Sequence, residues 1–404
     1  MLNAFGSQIY QGIVEIMSHT FASHVARMYL LVLTGSSASS FRKRDTSTQE
    51  IAVQMLKELT PSATFHEAVD TMVTNLVNNV DFSTLQSLAI SPTANPVLQI
   101  IVEYELNRKE TTPIISLLLP EENMSFARTL LFDPIGSHLM EIVITKCPGR
   151  TFKRLHKDTL NGNLASIARH KTGAYVLVKA IERFSSGNIQ KALEELTPVL
   201  SDLVNESTAV VTALIEQCRR REVGFGKIQD ALGPINLDAD VPVHVSILFQ
   251  TMLSSSDGLR DLIARKLVEL PQEQIIAMSK QSAASRIIQA ALDPAQPAHF
   301  RKQIISKFLG KVSDLAIDNI ASHVVDALWT GSTGLKFLRD QLINEILVNE
   351  LALRQTIPGR AVCRNWRKWS RESAEETGPK GIDRARKRHA SASNHGGKKP
   401  RAYK

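Results

Sequence analysis

The sequence predicts an all-α fold: a curved α-solenoid of stacked helical repeats followed by a disordered basic tail. Three observations carry this prediction. A short pattern recurs in eight places: a small residue, a polar one, a ring or bulky residue, then two apolar residues. Three copies are nearly identical: Ala22-Ser23-His24-Val25, Gly136-Ser137-His138-Leu139 and Ala321-Ser322-His323-Val324. The residue after the small one serves as an anchor, and the anchors stand at Ser23, Asn95, Ser137, Ala174, Ala209, Ser285, Ser322 and Arg360. Their intervals are 72, 42, 37, 35, 76, 37 and 38 residues, as in an array of helix-pair repeats. The 72 and 76 read as doubled periods, each hiding a degenerate unit or an insertion. Finally, each anchor opens a helical pattern. After Ser137 come Leu139, Met140, Val143 and Ile144; after Ser285 come Ile287, Ile288, Ala291 and Leu292. Apolar residues at i+2, i+3, i+6 and i+7 form one helical stripe. The anchor, i+1 and i+4 are then expected to point together away from the core.

Taken in order, residues 1–33 read as one or more partial repeats. The opening is abrupt, with no polar lead-in, so further repeats are expected before it. Residues 34–50 (TGSSASSFRKRDTSTQE) read as a flexible loop. Residues 51–220 read as tandem repeats, with Thr60-Pro61-Ser62 and Ser91-Pro92 as helix starts. Residues 221–242 break the pattern with Gly, Pro and Asp and read as a linker or insertion. Repeats resume over 243–370. Residues 371–404 are polar and charged and read as disordered.

Charge is unevenly spread. The net charge is +8. Residues 359–404 hold 14 Lys and Arg against 4 Asp and Glu, whereas residues 1–358 hold 34 against 36. The tail therefore carries the whole excess, and nucleic-acid contact by the body must rest on local arrangement. The densest basic stretch of the body runs through Lys153, Arg154, His156, Lys157, Arg169, His170 and Lys171, a candidate for phosphate contact. Cys147, Cys218 and Cys363 are too far apart in sequence for a disulfide framework or a zinc site, which suggests a reducing compartment. The longest apolar runs are too short to span a bilayer, and no signal peptide is evident. There is no Gly-rich phosphate loop, metal cluster or nucleophile setting, so no enzyme activity, metal or cofactor is expected.

The anchor residues resemble those of Pumilio-like repeats, in which i and i+4 reach a base edge and i+1 stacks on it. The pair Asn95 and Gln99 resembles the uracil-type combination, although Pro96 replaces a ring. Ser285 and Gln289, with Arg286 between, resemble the adenine type. Ser137 and Glu141, with His138, resemble the guanine type. Ser322, His323 and Asp326 keep the shape with a shorter acid. Ser23, His24 and Arg27 put a cation at the edge position, suited to phosphate. Of Ala174, Tyr175 and Val178 only Tyr175 is retained as a stacker. Ala209, Val210 and Ala213 retain nothing. Arg360, Ala361 and Arg364 are basic without a stacker. Each of these residues is read from the sequence.

The motif Gly359-Arg360-Ala361-Val362-Cys363-Arg364-Asn365-Trp366 and the motif Asp133-Pro134-Ile135-Gly136-Ser137-His138 are similar to the nucleolar protein nine branch of that family. The resemblance spans about residues 8–370. It implies a protein of the nucleus and nucleolus that binds precursor ribosomal RNA and supports small-subunit rRNA processing. Its expected partners are RNA and pre-ribosomal particle proteins, with no membrane and a monomeric state. The clusters Arg384-Ala385-Arg386-Lys387-Arg388 and Lys398-Lys399-Pro400-Arg401 fit nuclear entry or nonspecific RNA contact. The alternative is a HEAT- or armadillo-like protein scaffold, which a near-neutral body also suits.

Overall fold

The structure is a computed structural model and describes residues 12–35, 63–108, 112–120, 123–232, 237, 239–255 and 257–377. Regular structure among them is helical throughout. The chain forms two compact units, residues 1–233 and 234–404. No helix among the described residues is long and apolar enough to cross a membrane.

A typical repeat has three helices. That of Ser137 comprises Pro113–Leu118, Ser125–Phe132 and Gly136–Lys146. That of Ala174 comprises Gly149–Leu155, extended by a π-helical turn His156–Leu160, then Leu164–Arg169 and Gly173–Arg183. The third helix carries the anchor. Within the first unit the third helices Ala22–Thr34, Asn95–Arg108, Gly136–Lys146, Gly173–Arg183 and Thr208–Arg221 pack each on the next. Within the second unit Val243–Leu253, Ser282–Ala291, Ala321–Gly331 and Ile357–Thr377 do the same. First helices form their own row, with Asp257–Glu269 against Ala298–Ser306 and that against Lys336–Val348.

The apolar stripe holds these rows together. Leu139, Met140, Val143 and Ile144 are fully buried, as are Ile287, Ile288, Ala291 and Leu292. Each of the larger of these side chains contributes about 1.5–3 kcal/mol of burial, collected only because a neighbouring repeat covers it.

The two long intervals have different causes. The Ser23 helix packs directly on the Asn95 helix, so the 72-residue gap is an insertion. The 76-residue gap hides a real repeat: Val243–Leu253 is a third helix with Ser246 in the anchor place. The expected linker 221–242 contains a helix, Phe225–Leu232. The loop expected over 34–50 lies outside the described residues beyond Gly35. The last helix continues to Thr377, past the expected tail boundary at 370; residues 378–404 lie outside the description.

Two local devices set most of the third helices. The small residue before the anchor lies where that helix crosses the second helix. A Cβ on Gly136 would stand 2.8 Å from Leu130 Cδ2, and one on Gly173 would stand 3.2 Å from the Ile167 carbonyl oxygen. In six repeats a side-chain acceptor for the exposed amides of the turn stands four residues before the anchor, whereas Gln281 before Ser285 makes no such bond. Asp133 Oδ1 accepts from Ile135 and Gly136, and Asp318 Oδ1 from Ile320 and Ala321. His19, Ser91, His170 and Thr356 do the same for Ala22, Ala94, Gly173 and Gly359. Such acceptors satisfy amides that the helix leaves unpaired.

Glu105, on the Asn95 helix, is 4% exposed, and its Oε1 accepts from the Ile114 amide at 3.2 Å. Burial pushes its carboxyl up to about 7, against the pull of the Ile114 and Ile115 amides. A folded-state value above the unfolded one means that the folded chain holds this proton more tightly. The resulting stability is present at low pH and is lost as pH rises towards 7. Glu105→Gln is therefore expected to change little at pH 4.5 and to stabilise by about 2–3 kcal/mol above pH 7, read as the melting temperature against pH.

Candidate nucleic-acid interface

The third helices present the candidate surface, and helix geometry decides which positions reach it. At about 100° per residue, i+1 lies farthest from the stripe, i+4 stands at its shoulder, and the anchor lies only about 20° from i+7. The structure follows this order. His24, His138, Tyr175, Arg286 and His323 are exposed. Arg27, Gln99, Glu141, Val178, Gln289 and Asp326 are half-buried. The anchors are buried: Ser23, Asn95, Ser137, Ser285 and Ser322 are all below 9% exposed. This corrects the expectation that anchor, i+1 and i+4 point away from the core together.

The anchors' hydrogen bonds explain their burial. Ser23, Ser137, Ser285 and Ser322 each donate from Oγ to the carbonyl three residues back, at 3.2–3.4 Å. A side chain at a helix start leans back over the preceding turn. Asn95 is fully enclosed; its Nδ2 donates to the Ala89 carbonyl, and its Oδ1 accepts from Gln99 Nε2.

Among the i+4 residues, Asp326 accepts from Asn365 Nδ2 at 2.8 Å, which ties its helix to the final one. Burial raises its carboxyl, partly offset by Asn365, Trp366 and His323. Glu141 lies 3.9 Å from His138 Nδ1; burial raises its carboxyl too, against His138 and Lys179. Arg286 and Gln289 make no side-chain hydrogen bond among the described residues. The Ser285 repeat therefore offers the least committed pair. At the final helix Arg360 and Arg364 are exposed and Ala361 half-buried.

Two sets of residues escaped sequence reasoning. In the hidden repeat Ser246 is 1% exposed, Ile247 50% exposed, and Gln250 half-buried. Gln250 Nε2 donates to Ser246 Oγ at 3.1 Å. Val245 in the small-residue place concealed it, although Ser246 stands 38 residues after Thr208 and 39 before Ser285. The neighbouring register is also shifted by one. Thr208 is the buried anchor, Ala209 the exposed i+1 residue and Thr212 the half-buried i+4 residue, with Ser207 as the small residue. Ala209, Val210 and Ala213 are not the triad.

The basic stretch does not gather on this surface. Lys153, Arg154, His156 and Lys157 belong to the first helix of their repeat and its π-helical turn. Arg154 Nη2 donates to the Leu119 carbonyl at 3.0 Å. His156 packs edge-on against Phe184, and burial lowers its pKa. Arg169 pairs with Asp202 and Glu206, and His170 accepts from the turn amides. No cluster of three or more His, Cys, Asp or Glu is placed to hold a metal among the described residues.

Known proteins supply the context. Residues 1–235 and 229–361 match the NOP9-like PUF repeat domain. The chain is 32% identical over 413 residues to Nucleolar protein 9 of Aspergillus clavatus, covering 87% of this chain and 60% of that protein. It is 32% identical over 417 residues to Nucleolar protein 9 of Emericella nidulans, again covering 87% of this chain and 60% of that protein. The chain thus spans about three fifths of the length of these curated relatives. A solved structure of APUM23 with GGAGUUGACGG superposes with a TM-score of 0.74 at 17% identity, covering 96% of this chain and 79% of that one. The Puf3 RNA-binding domain bound to a Cox17 RNA 3′ UTR site superposes with a TM-score of 0.60 at 14% identity, covering 89% and 95%. The structural likenesses establish the fold as a Pumilio-type repeat solenoid, in place of the HEAT or armadillo alternative. With the sequence matches, they lead to one conclusion: the chain belongs to the family of NOP9-like PUF repeat domains.

Proposed function

We propose that this chain binds precursor ribosomal RNA across its third helices and, in the nucleolus, supports small-subunit rRNA processing by covering RNA without cutting it. The observation that carries the reading is the repeated exposure order along successive third helices. One exposed and one half-buried side chain recur at the same two positions in most repeats, above an anchor turned into the helix. Exposed His138, Tyr175, Arg286 and His323 supply ring or guanidinium faces on which unstacked bases can lie. Gln289 and Glu141 offer hydrogen-bonding groups beside them. Arg27 and Arg364 suit phosphate contact. The buried anchors Ser23, Asn95, Ser137, Ser285 and Ser322 set the height of the helix under the base rather than contact it directly. Relatives named Nucleolar protein 9 support the nucleolar setting. Pre-ribosomal proteins are the further partners of this reading, and the chain acts as a monomer.

The test uses tiled single-stranded fragments of small-subunit precursor rRNA. Arg286→Ala combined with Gln289→Ala removes one stacking face and one edge contact, each worth about 1–3 kcal/mol. Affinity for the tightest fragment should fall by at least about tenfold, with an unchanged melting temperature. Wild-type affinity in the double variant would refute the assignment of the third-helix face.

A further inference from the structure

Glu345 joins the last two repeats by accepting backbone amides across their boundary. It lies on the first helix of the final repeat, Lys336–Val348. Its Oε2 accepts from Gly310 at 2.9 Å, and its Oε1 from Val312 at 2.7 Å and Ser313 at 3.3 Å. These amides lead into Val312–Ala316, the second helix of the Ser322 repeat, where the first turn supplies them no partner. Gly310 stands at φ 81°, a left-handed turn that glycine adopts without strain. Ser313 Oγ returns a bond to the Glu345 carbonyl at 3.1 Å, and Asn349 Nδ2 donates to Ser313 Oγ at 3.0 Å. Glu345 forms no ion pair among the described residues, so the preceding repeat's amides are what hold its carboxylate. The arrangement recurs in the first unit. Glu195 accepts from Gly162 at 3.1 Å and from Leu164 at 2.5 Å, across the boundary between the Ala174 and Thr208 repeats.

The last two repeats touch again on their third helices. There Asp326 accepts from Asn365 at 2.8 Å, and the Trp329 and Trp366 rings stand 5.3 Å apart. Two contacts in different rows fix an angle, where one alone would leave a hinge. We propose that Glu345 is a positioning residue for the RNA face: it sets the angle between the last two repeats and, through it, the nucleotide spacing accepted between His323 and Arg364. This rests on the third-helix reading given above. His323 and Arg364 are exposed on the outer side of the third helices, and Glu345 lies across the core from them. A tilt about the third-helix contact therefore moves the two sides in opposite senses. A carboxylate suits the task because both of its oxygens accept. Glutamine in its place would turn one oxygen into a donor facing an amide N–H.

Two measurements test it. Nitroxide labels at Lys302→Cys and Gln341→Cys, exposed positions on adjacent first helices, report the joint directly. Cys147, Cys218 and Cys363 are buried and do not compete for the label. The distance distribution is expected to be narrow with Glu345 in place and broad in Glu345→Ala, with Glu345→Gln between. RNA reads the consequence. One abasic nucleotide is inserted at each position in turn of the tightest small-subunit precursor fragment. At one position the insertion should weaken wild-type binding at least about tenfold, since it displaces a stacked base. In Glu345→Ala that penalty should shrink to about threefold or less. Ile275→Val, a buried change in the second helix of the Ser285 repeat, should lower the melting temperature and leave every penalty as in wild type. An equally narrow distribution in Glu345→Ala would overturn the inference, as would unchanged penalties in both Glu345 variants or an equal relaxation by Ile275→Val. If Glu345→Ala does not fold, Glu345→Gln carries both readouts. A wild-type chain that binds no fragment sinks the RNA reading and the spacing with it, while the label distances separately decide whether Glu345 holds the joint.

Discussion

Gly359→Ala should destabilise the last repeat by about 3 kcal/mol or more. An alanine in place of glycine within a helix ordinarily helps, by about 1 kcal/mol, so the sign is opposite to the usual one. The cause is the crossing of the final helix over its own second helix. A Cβ on Gly359 would stand 2.1 Å from the Leu353 carbonyl oxygen and 2.8 Å from Thr356 Oγ1. Backbone cannot swing aside as a side-chain tip can, so the helices must part, exposing Val362 and Trp366, which are now buried. Gly187 is the control: it is helical and a Cβ there meets nothing within 4 Å, so Gly187→Ala should stabilise slightly. Hydrogen exchange resolved by segment reads both. Loss of protection over 336–368 is expected for Gly359→Ala, and native protection there would show that the crossing is looser than described.

Arg301→Met is expected to cost about 3–5 kcal/mol. Arg301 is 7% exposed and donates to three carbonyls: Gln296 at 3.0 Å, Thr333 at 3.0 Å, and Gly331. Gly331 ends the Ser322 helix, where carbonyls have no partner within the helix and a cation is favoured. Methionine fills similar volume and makes none of these bonds. Arg183 serves the Ser137 helix likewise, donating to the Ile144 and Cys147 carbonyls while lying over Phe152. Denaturant unfolding should move to lower concentration in Arg301→Met. A shift smaller than that of an exposed substitution such as Lys302→Met would mean that water replaces the guanidinium without loss.

Legibility in the sequence tracked how local each cause is. The stripe after Ser137 or Ser285 depends on one helix and its neighbours, so its period was readable and so was the fold. Ser246 went unread because its signal is distance to Thr208 and Ser285, not composition: Val245 is not small and Ile247 is not a ring. Anchor burial was implicit in the angle between i and i+7, but polarity suggested the opposite face. Serine is polar yet short, and its hydroxyl finds the carbonyl three residues back before it finds solvent. The commitment of Asp326 to Asn365 joins residues 39 positions apart, which no local pattern reports. The basic residues 153–171 show the same limit, since they fall on two helices, a π-helical turn and the turn before a third helix, and Arg154, Arg169 and His170 each have a different partner.

The acceptors placed four residues ahead of six of the anchors carry a wider consequence. His19, Ser91, Asp133, His170, Asp318 and Thr356 differ chemically yet make the same bond to a turn amide. Foundation and address are therefore written largely in different letters of these repeats: the turn fixes where the helix begins, while the outward letters can drift wherever they are not tied down as Asp326 is to Asn365. Such a chain can change what it recognises one module at a time, by exchanging a pair like His138 and Glu141, without renegotiating how its modules stack.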